Sequence, residues 1–121
     1  MMGAGLSNTF LGSPNLITRS VIGSYVGDGV APQVVLIPFE ADFIRVDCYD
    51  TGTASVTVWT YRSWPGGNSL LIERSGAPPG TVMSLITDGI IAIGANSFTV
   101  GAGVLNTAGI TYDFFAIQGE T

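Results

Sequence analysis

What most constrains this chain is its punctuation. Short runs rich in Val, Ile, Thr, Tyr, Phe and Trp recur from residue 20 to residue 117, each bounded by Gly, Pro, Asn or Asp. They are SVIGSYV (20–26), QVVLI (33–37), DFIRVDCY (42–49), ASVTVWTYR (54–62), SLLIE (69–73), TVMSLI (81–86), IIAI (90–93), NSFTV (96–100) and ITYDFFAI (110–117). Such residues suit a pleated, half-buried surface, and no stretch holds the 3.6-residue apolar period of a helix. Between the runs, GDG (27–29), TG (51–52), WPGGN (64–68), GAPPG (76–80) and DG (88–89) supply the positive-φ and fixed-φ positions of tight turns. The expectation is an all-β chain, an antiparallel, jelly-roll-like β-sandwich of about eight or nine strands.

Alternation assigns faces to the central runs. Ile44, Val46 and Cys48 fall on one side of the third run, with Phe43, Arg45, Asp47 and Tyr49 on the other. In the fourth, Ala54, Val56 and Val58 oppose Thr57, Trp59 and Tyr61. If the aliphatic sides line the core, Trp59 and Tyr61 point away from it. Residues 1–18 are different: rich in Gly, Ser, Asn and Thr, with isolated Leu6, Phe10, Leu11, Leu16 and Ile17, they follow neither period. They read as an extended N-terminal arm ahead of a sandwich domain at 19–121.

Composition narrows the partners. Only 11% of residues are charged, against about 25% in average usage, while mean hydropathy is +0.46. Too few charges are present to cover the surface of a lone monomer. The longest apolar runs, VVLIPF (34–39) and IIAI (90–93), fall far short of the roughly 20 residues a spanning helix needs, so no membrane span is expected. The first residues carry no basic leader or apolar core of signal-peptide type, and export by that route is not expected. The remaining explanation is apolar surface covered by other protein chains. Nine acids against four arginines (Arg19, Arg45, Arg62, Arg74), with no lysine, give a net charge of −5. Phosphate backbones are bound by clustered Lys and Arg, so nucleic acid is not an expected partner. The single cysteine, Cys48, excludes an internal disulfide and reads as a small buried hydrophobe.

Candidate chemistry is sparse. Histidine is absent, which removes the commonest general base, the usual triads and most zinc sites. GAGVLNTAG (101–109) begins like a dinucleotide fingerprint, but its sixth position is Asn106 and no helical pattern follows. The plainer reading is a hairpin tip or long loop in which Gly101, Gly103 and Gly109 take conformations closed to other residues, and Asn106 does likewise or bonds its own backbone. Phe98 and Val100 are then expected to pack with Tyr112, Phe114 and Ala116, leaving Phe115 and Ile117 for a neighbouring sheet or subunit. The acids Glu40, Asp42, Asp47 and Asp50 match no calcium loop and read as a solvated turn and strand edge. Trp59, Tyr61 and Trp64, just before a flexible PGGN, fit either a protein interface or a sugar-stacking platform. No catalytic, cofactor-binding or metal-ligating residue is assigned, and no enzyme activity is expected. Interface candidates are Leu6, Phe10, Leu11, Leu16, Trp59, Tyr61 and Trp64.

One resemblance adds to this. Phe98-Thr99-Val100, then Asn106, Gly109, Tyr112 and Ala116, preceded by GSYVGDGVAPQVVLIPFEADFIRV at 23–46, resembles a β-sandwich module of tailed-phage virion proteins. In that module a Tyr-x-Gly-(Asp/Asn)-Gly turn opens an apolar strand pair, and a Phe-Thr-Val strand, an Asn-containing loop and a Tyr-x-x-x-Ala strand follow. The resemblance spans most of residues 20–119. It implies a structural role, commonly as a trimer, in a capsid decoration (cement) protein or a tail-fibre or baseplate appendage. The compact domain with an arm fits decoration of the outer capsid surface better than a fibre. The implied partner is then the major capsid protein and the implied location the virion, assembled in the host cytoplasm. A receptor-binding or carbohydrate-binding tail module is the alternative.

Overall fold

The computed structural model describes residues 17–51, 54–76 and 79–119. Nine strands account for most of them: β1 (Ile17–Val26), β2 (Gln33–Leu36), β3 (Phe43–Cys48), β4 (Ala54–Tyr61), β5 (Ser69–Gly76), β6 (Pro79–Ile86), β7 (Ile90–Gly94), β8 (Ser97–Val100) and β9 (Thr111–Gly119). Every β-type run of the sequence becomes a strand, and no helix occurs among the described residues. Ile17 and Thr18, placed with the arm on sequence grounds, are the first residues of β1. Leu6, Phe10, Leu11 and Leu16 lie outside the described residues.

All pairings are antiparallel and build two sheets, one of six strands ordered β1-β9-β3-β4-β5-β6 and one of three ordered β2-β8-β7. The chain leaves the large sheet after β1, returns at β3, and leaves again for β7 and β8 before closing with β9 between β1 and β3. That interleaving of the chain's two ends is jelly-roll-like. β3 to β6 instead run as a simple meander, which makes the split six to three rather than even.

The core lies between the sheets. From the large sheet come Ile44, Val46, Cys48, Val56, Val58, Leu71, Tyr112, Phe114 and Ala116, and from the small one Val35, Ile90, Phe98 and Val100, all buried. The faces expected for β3 and β4 are therefore the observed ones. Phe98 meets Phe114 edge-on at 5.3 Å across the two layers, the contact expected from the flanking strands. Ser69 adds a polar clip. Fully buried on β5, its hydroxyl donates to the Ile90 carbonyl and accepts from the Ile90 amide, each at 3.0 Å.

The glycine-rich stretch is not a hairpin tip. β8 and β9 belong to different sheets, so 101–110 is a crossover loop, and it turns inward, with Leu105 and Asn106 buried. Gly103 and Gly109 do take positive φ (122° and 82°). Gly101 does not: its glycine is needed because a Cβ there would meet the Asp88 carbonyl oxygen at 2.8 Å.

Asn106 ties this crossover to the β1–β2 turn. Its side-chain oxygen accepts from the Asp28 amide at 3.0 Å, its side-chain nitrogen donates to the Val30 carbonyl at 3.2 Å, and its own carbonyl accepts from the Gly29 amide at 3.1 Å. Gly27 exchanges two further backbone bonds with Gly109 and Ile110, both 2.9 Å. The chains approach so closely that a Cβ on Gly27 would sit 2.2 Å from the Thr107 carbonyl oxygen. Beneath, Tyr25 stacks on Tyr112 at 5.1 Å and donates its hydroxyl to the Leu105 carbonyl at 2.8 Å, while the Tyr112 hydroxyl accepts from the Thr107 amide at 3.0 Å. Burial, with smaller contributions from Tyr112 and Cys48, pushes the Tyr25 phenol far above its ordinary value, so it remains a neutral donor.

Asn106→Asp keeps an acceptor toward Asp28 but removes the donor to Val30 and buries a charge. It is expected to cost about 2–3 kcal/mol in urea unfolding, and Tyr25→Phe about 1 kcal/mol. Wild-type stability for Asn106→Asp would contradict the assigned role.

Candidate functional site

Nothing among the described elements covers the outer face of the six-stranded sheet, and its side chains follow from the register. One row crosses all six strands: Ile22, Phe115, Arg45, Trp59, Leu70 and Leu85. At the usual inter-strand spacing it is about 24 Å wide. Ile22 is 80% exposed and Leu85 62%, which is where the row reaches the two edges. A second row reads Ser24, Asp113, Asp47, Thr57, Ile72 and Met83. The face is therefore apolar in both rows toward the β6 edge and mixed toward the β1 edge, where Ser24 and Asp113 stand beside Ile22 and Phe115, with Arg45 and Asp47 on β3 further in.

The central charges hold one another. Arg45 donates to Asp47 at 2.9 Å, and Thr57 donates to the other Asp47 oxygen at 2.7 Å. Asp113 stands directly opposite Asp47 in the register, a like-charge pairing that Arg45 and Thr57 offset.

Of Trp59, Tyr61 and Trp64, singled out from the sequence, Tyr61 and Trp64 pack on each other. Trp59 and Tyr61 share the outer face of β4, half-buried and exposed respectively. Beyond β4, the Trp64 ring packs on Tyr61 at 5.3 Å, and Tyr61 packs on Phe43 at 4.9 Å. Phe43, Tyr61 and Trp64 thus form one aromatic run at the end of the sheet. A hollow of about 320 Å³ adjoins it, lined by Tyr61, Trp64, Gly67 and the β7 residues Ile91 to Ile93 among others.

Sequence reasoning missed Ile22, Leu70, Ile72, Met83 and Leu85 as surface residues. The runs SLLIE and TVMSLI are apolar on both sides, so alternation alone does not say which side is outer. Pairing of Trp59 with Leu70 settles it.

The acids of residues 40–50 do not converge. Asp42, at the head of β3, accepts from the Gly119 amide at 2.6 Å and from Arg62 through two nitrogens, one of them Nε at 2.8 Å. Glu40 stands 3.6 Å from the same guanidinium. Asp42 therefore ties the ends of β3, β4 and β9 together. Burial pushes its carboxyl up, but the Gly119 amide and the Arg62 hydrogen bonds and charge outweigh that and hold it below its ordinary 3.8. Among the described residues no three His, Cys, Asp or Glu side chains are grouped to hold a metal ion. Cys48 is buried and free, and no helix of the described residues is long and apolar enough to cross a membrane.

No family model matches the chain, and no curated protein or solved structure matches it.

Because the Asp42 pKa is lower folded than unfolded, its contribution is fully present above about pH 4 and is lost as pH falls through the folded value. Asp42→Asn is expected to cost about 1 kcal/mol at pH 7, allowing for the exposure of Arg62. In thermal melts across pH that difference should vanish toward acid; a difference constant with pH would contradict the assignment.

Proposed function

We propose that this protein is a structural, non-catalytic component of a phage virion, a capsid decoration protein that binds the outer shell and strengthens it across subunit junctions. The observation that carries the reading is the uncovered outer face of the six-stranded sheet, apolar across β5 and β6 in a chain with only 11% charged residues. An apolar patch of that breadth marks a surface meant for another protein. The paired charges at its centre fix register and orientation rather than supplying most of the affinity. The phage setting, the major capsid protein as partner and a trimeric state come from the resemblance of residues 23–46 and 98–116. In this account the arm, residues 1–18, adds contact area as a clasp linked to the folded body.

The aromatic run Phe43-Tyr61-Trp64 beside its hollow favours a second reading, a carbohydrate-binding tail module. Rings packed in series at a sheet end, each tilted against the next, offer aromatic faces on which sugars pack.

The two readings separate cleanly. Leu70→Lys with Leu85→Lys, at a half-buried and an exposed position of the outer face, should keep the β-sheet spectrum and a cooperative melt and abolish binding to capsids lacking the protein. Undiminished capsid occupancy would refute the decoration reading, and glycan-array binding lost on Trp64→Ala would replace it with the second.

A further inference from the structure

The six-stranded sheet has two edges, and they are built differently. β1 carries Arg19, which reaches the Pro38 carbonyl at 3.4 Å, and its pairing with β9 is irregular between Ile17 and Arg19. A charge and a register break are the devices that discourage further strand addition. β6 has neither. Its eight residues, PGTVMSLI, include no charged side chain, and all eight pair with β5 in unbroken register from Pro79 to Ile86.

The edge is also apolar on both sides. Met83 and Leu85, 64% and 62% exposed, lie on the outer face, and Val82, 55% exposed, lies on the inner one. A strand added here must bring neutral or apolar side chains to both faces. Without charges on β6 there is nothing to select a charged partner and nothing to repel a copy of itself.

We propose that β6 pairs antiparallel with β6 of a second copy of this chain, about a two-fold axis through Met83, joining two sheets into one. Antiparallel pairing keeps outer residues opposite outer residues, so the partners must share parity. With Met83 on the axis, Met83 meets its own copy, Thr81 meets Leu85 of the partner, and Val82 meets Ser84 of the partner. No like charges are brought face to face, and the unpaired edge amides and carbonyls gain partners. The apolar outer rows of the two copies then run on across the junction. In a trimeric decoration protein this edge would link one trimer to the next. The pairing itself does not depend on where the protein resides.

The test uses the full chain. Its mass in solution at high micromolar concentration is expected to be an even multiple of 12.5 kDa. Met83→Cys under mild oxidation should give a disulfide-linked dimer, because directly opposed antiparallel residues sit about 4.5–5.5 Å apart at Cα, within disulfide reach. Ile22→Cys, on the opposite edge, should not cross-link, and Cys48 is buried. Met83→Lys, which sets two cations together at the axis, should weaken self-association about tenfold or more with an unchanged β-sheet spectrum. A monomer or an odd number of chains, cross-linking through Ile22→Cys instead of Met83→Cys, or self-association indifferent to Met83→Lys would each overturn the proposal.

Discussion

The fold turns on one buried side chain that spans two loops. Asn106 donates to Val30 and accepts from Asp28, while its own carbonyl receives the Gly29 amide. Those loops are two of the four places where the chain passes between layers: the β1–β2 turn carries it from the large sheet to the small one, and the 101–110 crossover carries it from the small sheet back to the large. Both crossings expose backbone donors and acceptors at the rim of the core, where leaving them unmade is costly. An amide side chain, with a donor and an acceptor on one short stem, satisfies both chains at once. Tyr25 and Tyr112, stacked below and each bonded to the crossover, give the joint an apolar floor.

This joint gives the turn and loop residues a physical role. Tyr25, Gly27, Asp28 and Gly29 on one side and Asn106, Gly109 and Tyr112 on the other, singled out in the sequence together with Phe98, Thr99, Val100 and Ala116, form one cluster in space. Their role is to close a sandwich, and nothing in their geometry requires a ligand. The features that would decide a particular partner lie elsewhere, on the outer sheet face and the β6 edge. Part of the exposed apolar area of this weakly charged chain lies there, at Ile22, Met83 and Leu85, and part on and before β2, at Val30, Val34 and Leu36.

Much of this was legible in the sequence because the signals were local. Alternation in DFIRVDCY and ASVTVWTY gave the core faces of β3 and β4, since each has one clearly aliphatic side. Turn residues located the strand ends to within a few positions. What remained hidden was non-local. The glycine-rich stretch has the composition of a hairpin tip, and only the pairing of β8 with β2 and β7 shows it to be a crossover. Leu70, Ile72, Met83 and Leu85 belong to runs apolar on both sides, so their outward face is fixed by register with β4 rather than by pattern. The bond of Asn106 to Asp28 links residues 78 positions apart, a distance at which a single sequence carries no signal.

Amide hydrogen exchange, resolved by residue, tests the joint most directly. The Asp28, Gly29 and Gly109 amides lie in loops, where exchange is ordinarily fast. The account predicts that they exchange only with global unfolding, as slowly as the Val46 and Val58 amides in the central strands. Exchange at the rate of an open loop would contradict it, and would return the glycine-rich stretch to the status of a free segment able to receive a ligand.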